Sequence, residues 1–339
     1  MKPRPVSNPP NPWDATHVDW LGEPPPALPR LHADATREIL SRNDSPDIPY
    51  SWSVNPYRGC AHACAYCYAR PTHEYLGFGA GTDFDTQIVA KLRAPELLRR
   101  AFERPSWQGE PIAFSGNTDA WQPLEASLRL TRGCLEVCAE YLNPVLVTTK
   151  SALVERDLDL LGALAAAGAA RASVTLPFLD AERARALEPW APSPERRLAT
   201  IARIAAAGVP VSVSVAPVIP GLNDEEIPRV LAAAREAGAS RAHWLLLRLP
   251  GPVKGVFEER LRAALPERAD RVLHRIRETH DGKLYDARFG VRGRGEGEIA
   301  RSIGALFDAA AGRLGFEEDA PSRPSPFRRP RPQLSLFGT

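Results

Sequence analysis

The stretch Asn55-Pro-Tyr-Arg-Gly-Cys60-Ala-His-Ala-Cys64-Ala-Tyr-Cys67-Tyr-Ala-Arg70 gathers three of the chain's five cysteines into a CxxxCxxC pattern. It follows directly on a β-rich run, Ser51–Asn55. The thiols therefore stand on a loop at the C-terminal end of a strand, the edge where parallel α/β barrels keep their chemistry. Three thiolates can hold three corners of a [4Fe–4S] cube and leave the fourth iron for a non-protein ligand. A structural zinc ion wants four ligands, usually from paired CxxC motifs. His62 or His73 could nominally complete such a set, but no second pair stands at the expected spacing.

Working outward, short β-rich runs alternate with helical stretches. Strands are predicted at Ile112–Ser115, Val145–Thr149, Ala172–Leu176, Val211–Val218 and Ala242–Leu249, after the first at Ser51–Asn55. Helices are predicted at Leu124–Tyr141, Val154–Ala167, Pro194–Ala207 and Asp224–Ala237, the last three punctuated by Gly168, Gly208 and Gly238. Val211 to Val215 alternates valine with serine, so one face packs on helices while the other lines something polar. Repeated strand–helix units imply a parallel sheet with right-handed crossovers. Six units are too few to close an eight-stranded barrel. The expected fold is thus α/β, an open partial (β/α)6 TIM-like barrel, with further helices near Val256–Thr279 and Glu298–Arg313 covering its edge.

Composition bounds the rest. The chain has 339 residues, 44% hydrophobic, with a formal charge of +2, so no global field argues for a nucleic-acid or membrane partner. Proline is in excess at 34, eleven of them before Ser51 and five after Ala320. The ends therefore read as extended or disordered arms around one body. We divide the chain into a largely disordered proline-rich extension (1–35), a core (36–290), a C-terminal helix packed on it (291–317) and a disordered Pro/Arg tail (318–339). No leader-like or membrane-spanning segment is expected. An odd number of cysteines then favours metal or redox thiols in a reducing cytoplasm over a disulfide scaffold. Lysine is scarce, limited to Lys2, Lys91, Lys150, Lys254 and Lys283.

The cysteine triad with Tyr66 before its last member resembles the signature of radical S-adenosylmethionine (SAM) enzymes. The wider segment is similar to an uncharacterised bacterial radical SAM family akin to spore photoproduct lyase. Leu40-Ser-Arg-Asn-Asp-Ser-Pro-Asp-Ile-Pro-Tyr50, Asn55-Pro-Tyr-Arg-Gly59 and Arg70-Pro-Thr-His73 carry that likeness, which runs from about Thr36 to Gly315. It implies a barrel of the radical SAM type, a [4Fe–4S] cluster on Cys60, Cys64 and Cys67, and SAM on the open iron. It also implies an external electron donor of flavodoxin or ferredoxin type. Reductive cleavage of SAM would give a 5′-deoxyadenosyl radical that abstracts hydrogen from substrate, the protein orienting the cofactor.

The resemblance further implies residue roles. Tyr66 is expected against the adenine. The loop Ser115-Gly-Asn-Thr-Asp-Ala-Trp-Gln-Pro-Leu-Glu125 stands where the family contacts the SAM amino group, and Asn117, Thr118 and Asp119 are its candidate acceptors. The same loop also reads as a polar turn capping a helix. Lys150, in Val147-Thr-Thr-Lys-Ser151, matches a strand-end Thr-Lys of the lyase and so implies a carboxylate partner; a solvated lysine is the plainer reading. Thr175 and Ser214, with Ser173 and Ser212, suit ribose or methionine contacts, or simple barrel filling. Val218-Ile-Pro-Gly-Leu-Asn-Asp224 resembles the element that packs on adenine, implicating Ile219 and Gly221, while Asn223 or Asp224 could cap the next helix.

Cys134 and Cys138 lie four apart on one helix face and read as core. The lyase draws a hydrogen from an additional cysteine near its SAM loop. No cysteine lies around Ser115–Trp121, so a photoproduct lyase is not expected. The tail ends Gln333-Leu-Ser-Leu-Phe337, which looks like the peptide by which bacterial DNA-handling proteins dock on the replication sliding clamp. Arg323, Arg328, Arg329 and Arg331 could instead touch nucleic-acid phosphates. Three readings stand: a radical SAM enzyme acting on nucleic acid; one acting on a small molecule, peptide or RNA base; and a non-catalytic Fe–S protein that binds clamp or nucleic acid.

Overall fold

The structure, a computed structural model, describes residues 4–14, 18, 20–48, 50–318 and 324–330. Its strands are β1 (Arg30–Ala33), β2 (Leu40–Arg42), β3 (Trp52–Val54), β4 (Tyr57–Arg58), β5 (Gln87–Ala90), β6 (Ile112–Phe114), β7 (Val145–Thr149), β8 (Ala170–Thr175), β9 (Val211–Val218) and β10 (Arg241–Leu246). Seven of them form one sheet in the order β10-β9-β8-β7-β6-β3-β2. From β3 to β10 every pairing is parallel, and the short β2 closes the other edge antiparallel to β3. The six expected core strands are all present, adjacent in chain order, and β10 does not pair with β3. That is an open barrel.

Alternation along the strands separates two faces. Val145, Val147, Ala172, Val174, Val211, Val213 and Val215 belong to the main core, packed against the surrounding helices with Leu161, Ile201, Ile204, Val230 and Leu231. Thr148, Ser173, Thr175, Ser212 and Ser214 take the opposite, inner face. The helices follow the reading with local breaks. Arg129, in a left-handed conformation, divides the helix before β7 into Glu125–Leu128 and Leu130–Tyr141. Pro266, which cannot continue an interior helical hydrogen bond, starts a new helix, so the expected Val256–Thr279 is Val253–Ala264 followed by Pro266–Glu278. Helix Gly297–Arg313 packs on helix Ile227–Glu236. Among the described residues no helix is long and apolar enough to cross a membrane.

A second sheet, in the order β1-β5-β4, has no counterpart in the sequence reading. It draws part of the proline-rich arm into the body, since β1 runs parallel to β5. The arm is extended, as its prolines require, yet its first described residues are docked. Val6 N–H donates to Pro25 O and Ala27 N–H to Arg4 O, both at 2.8 Å. Thr82 N–H donates to Ser7 O at 2.9 Å, and the side chain of Asn11 donates to Glu74 O at 3.1 Å. Asn8 fills the cleft that two missing side chains leave. A Cβ on Gly79 would lie 2.2 Å from Asn8 Cγ, and one on Gly81 would lie 1.9 Å from Ser7 O.

The described part of the tail is anchored too. Phe327 packs against the paired rings of Phe102 and Tyr141, at centroid distances of 5.8 and 6.1 Å. The sequence leaves Arg329 available to phosphate. Instead its guanidinium donates to the carbonyls of Phe102, Arg104 and Trp107 at 3.0, 2.7 and 2.9 Å. Helix-end and turn carbonyls lack partners of their own, and a forked donor satisfies several at once. Arg323, Arg331 and the Gln333–Phe337 peptide lie outside the described residues.

Candidate active site

The cysteine loop leaves β3, forms the two-residue β4 and crosses the C-terminal ends of the parallel strands. Cys60 and Cys64 are buried and Cys67 is partly so. The loop has little regular structure, so side chains satisfy its backbone. The fully buried Arg70 donates to Cys64 O through Nε at 3.1 Å and Nη2 at 2.7 Å, and to Ala80 O and Gly81 O at 3.0 and 2.7 Å. Arg260 donates to Ala63 O at 2.9 Å. Asp85 bridges the two guanidinium groups, 2.8 Å from Arg70 and 2.5 Å from Arg260. On the other side the buried Gln122 takes Ala61 N–H at 3.1 Å and donates to Gly59 O at 3.2 Å. Arg70 and Gln122 lie in segments that carry the family likeness, but nothing in the sequence marks them, Asp85 or Arg260 as clamps of this loop.

Gln122 belongs to the loop after β6, where Asn117, Thr118 and Asp119 lie. That loop starts from strain: Ser115 holds φ at +75° and its hydroxyl accepts Ala120 N–H at 2.9 Å. Asp119 is fully committed inside the protein. Its carboxylate accepts from Thr149 Oγ1 at 2.7 Å and from the N–H groups of Trp121 and Lys150 at 2.9 Å, with His62 Nδ1 at 3.5 Å. Asn117 N–H donates to Asn55 Oδ1 at 2.8 Å. Thr118 Oγ1 is different: it is buried with no partner, and so is Ser173 Oγ on the inner face of β8.

Lys150, at the end of β7, lies 5.6 Å above the ring of Tyr66, with Nζ 3.9 Å from Glu188. Glu188 is buried. One of its oxygens accepts the Tyr66 hydroxyl and the other pairs with Arg197, which is buried as well. Burial pushes the Glu188 carboxyl up, but Arg197 and Lys150 more than offset it and hold it below the usual carboxylate range. Arg197 also donates to the carbonyl of Thr175 at 3.2 Å, tying the ion pair to the end of β8. Glu188 and Arg197 were missed in the sequence, where nothing marks two charged residues nine apart in a loop and helix as buried partners.

Thr175 and Ser214 are buried beside each other in register on β8 and β9. Ile219 is fully buried in a satellite cluster that also holds Tyr66, Phe178, Leu247 and Leu249, which brings together positions far apart in the sequence. A Cβ on Gly221 would meet Arg275 Cγ at 3.1 Å, so this residue lies against helix Pro266–Glu278.

The donor set suits an iron–sulfur cluster. Burial raises all three thiols, Cys64 to about 12, while Lys150 acts against it at Cys64 and Arg70 at Cys67. A metal must therefore displace three protons, and cations stand ready to balance the thiolates. Among the described residues no group of three or more His, Cys, Asp or Glu is spaced for a single metal ion; a cube distributes its thiolates over separate irons. The unpartnered Thr118 and Ser173 hydroxyls offer polar contacts beside the loop.

Comparison with known proteins agrees with this geometry. The model of the radical SAM superfamily matches residues 54–234. An uncharacterised protein of Mycobacterium tuberculosis is 42% identical over 226 residues, 66% of this chain and 66% of that one. The match thus spans just under two-thirds of that relative's length. An uncharacterised protein of Methanocaldococcus jannaschii is 28% identical over 173 residues, 51% of this chain and 62% of its own. In fold, the chain is similar to spore photoproduct lyase complexed with dinucleoside spore photoproduct. The TM-score is 0.57 at 18% identity, covering 84% of this chain and 78% of that one. The chain belongs to the radical SAM superfamily, a family of enzymes whose members use a [4Fe–4S] cluster, SAM and an external electron donor.

Proposed function

We propose that this protein binds a [4Fe–4S] cluster through Cys60, Cys64 and Cys67, cleaves SAM reductively and acts on nucleic acid. The observation that carries the first part is the cysteine loop: three thiols at strand ends, its carbonyls held by Arg70 and Arg260. When bound, the cluster supplies the electron that splits SAM. The chain's own residues orient and enclose. Thr118 offers its unspent hydroxyl to the SAM ammonium, with Asn117 next to it and Asp119 fixing the loop. Lys150 takes the SAM carboxylate, which requires Glu188 to share its ammonium. Thr175 and Ser214 face the ribose, and Tyr66 and Ile219 give the adenine an apolar wall.

Nucleic acid is the substrate class favoured by the likeness to the lyase, and the Gln333–Phe337 peptide is proposed as a sliding-clamp anchor in the cytoplasm. A flavodoxin or ferredoxin would deliver the electron. The deciding test is anaerobic reconstitution with iron and sulfide, followed by dithionite and SAM. We expect 5′-deoxyadenosine; a spectroscopically intact four-iron cluster that yields none would sink the enzymatic reading. Deuterium carried from a labelled oligonucleotide into 5′-deoxyadenosine supports the substrate class, and transfer only from a peptide or small molecule overturns it. For the anchor, equal retention on immobilised clamp with and without residues 333–337 removes the proposal.

A further inference from the structure

The mouth of the barrel carries a cation that the fold leaves unspent. Arg248 stands two residues past the end of β10, the last strand of the barrel. Its guanidinium lies over the ring of Tyr68, 5.5 Å from the centroid, and Tyr68 is the residue next to Cys67. Arg248 Nε is buried without a hydrogen-bond partner, and no described carboxylate lies within ion-pair distance of the side chain. This sets it apart from the clamping arginines, Arg70, Arg197 and Arg260, each of which has its acid. The acid that feels Arg248, Asp47, is already taken: it accepts Gly290 N–H at 2.8 Å and Arg292 Nε at 2.5 Å. Leaving a guanidinium unpaired in a half-buried place is costly unless an anion arrives from outside.

Tyr68 is 47% exposed and its hydroxyl donates to Gly116 O at 2.7 Å, which fixes the ring at the opening. Across the opening, the segment around Gly290–Arg292 reaches back to Asp47 and Ser45, close to β2 and β3, and so straps the open side of the barrel. That strap carries Phe289, 59% exposed with Arg292 stacked 4.4 Å above its ring. A half-buried guanidinium against one exposed aromatic face, with a second exposed ring on the strap, offers the groups by which proteins hold single-stranded nucleic acid, phosphate on the cation and bases on the rings.

We infer that Arg248, Tyr68 and Phe289 form the substrate clamp of this enzyme, Arg248 binding a backbone phosphate and the rings stacking an unpaired base. The inference rests on the nucleic-acid reading above and gives it a place on the molecule. The competing source of the anion is the carboxylate of SAM itself, and the test separates the two.

The reconstituted full-length protein is titrated with a fluorescein-labelled thymidine dodecamer, read by anisotropy at several salt concentrations. SAM binding is measured in parallel by equilibrium dialysis. Arg248→Gln should weaken the strand about tenfold and flatten the log–log salt slope by about 0.7, the loss of one phosphate contact. Arg248→Lys should keep the slope while losing part of the affinity, because an ammonium retains charge but not the planar stack. Phe289→Ala, an exposed ring whose loss leaves the core intact, should cost about fivefold. Arg301→Gln, on the exposed side of the C-terminal helix, should bind as wild type. Wild-type strand affinity in Arg248→Gln overturns the inference, as does a loss confined to SAM. Failure of the wild-type protein to bind the strand also overturns it, and 5′-deoxyadenosine formed by that same protein shows the radical SAM reading standing without it.

Discussion

The two groups of cysteines are both largely buried, yet they sit in different kinds of interior. Cys134 and Cys138 lie on helix Leu130–Tyr141 with Leu135, Val137 and Val147 in the main core. Burial raises both thiols, and at Cys138 nothing acts against it. Around Cys60, Cys64 and Cys67 burial raises the thiols as well, but Lys150, Arg70 and Arg197 pull back at two of the three. The first environment keeps a thiol neutral and useful only as a small hydrophobe. In the second, Lys150, Arg70 and Arg197 work against burial at Cys64 and Cys67, which favours thiolates there once a metal displaces the protons. Burial alone says little about a cysteine; what surrounds it decides.

The largest test of that contrast swaps the groups. A Cys60→Ala, Cys64→Ala, Cys67→Ala variant should lose essentially all cluster iron and brown colour. Cys134→Ala with Cys138→Ala should keep its iron and lose stability on the order of 2 kcal/mol, from lost packing. Iron retained by the triple variant would move the cluster to the helix pair. Next comes the clamp. Arg70→Leu strips Cys64 O, Ala80 O and Gly81 O of their donor and leaves Asp85 half-paired, so chemical denaturation should show a loss of about 3–5 kcal/mol. Arg70→Lys should not rescue it, because one ammonium cannot reproduce the fork. Wild-type stability in either variant would mean that the loop holds itself.

The smallest effect falls on Lys91, a buried cation whose charge lowers the Cys134 thiol. Burial, helped by Arg58, brings Lys91 from 10.5 to about 8. Below pH 8 it is protonated in both states and carries its full cost; between 8 and 10.5 the unfolded chain binds more protons, so stability rises with pH. Lys91→Met should therefore be more stable at pH 7 by roughly 2 kcal/mol, a gap that shrinks as pH rises toward 10. A gap that is constant with pH would place the lysine in a solvated position.

The barrel was legible because its periodicities are local. Valine–serine alternation gave β9, and helices Leu158–Ala166, Pro194–Ala206 and Ile227–Glu236 stop just before the glycines that announced their ends. Non-local pairings left no such trace. β1 and β5 are four residues each, of mixed polarity and 57 positions apart by register, so neither reads as a strand until the other is beside it. Phe327 is one aromatic in a Pro/Arg run, and its sequence says nothing of Phe102 and Tyr141. The three thiols could be found by spacing alone, whereas Glu188, Arg197, Gln122 and Arg248 act through partners that only the fold brings near.

Asn8 shows how far such a partner can reach. It wedges the Gly79–Gly81 turn, whose carbonyls receive Arg70, whose other donors hold the carbonyl of Cys64. A shortened version cut at the first barrel strand would keep every cluster ligand and every residue assigned to SAM. It would still lose the outermost support of the loop that carries them. Anyone trimming the molecule for expression or crystallisation should expect a paler, more oxygen-sensitive preparation, and should leave the first dozen residues on.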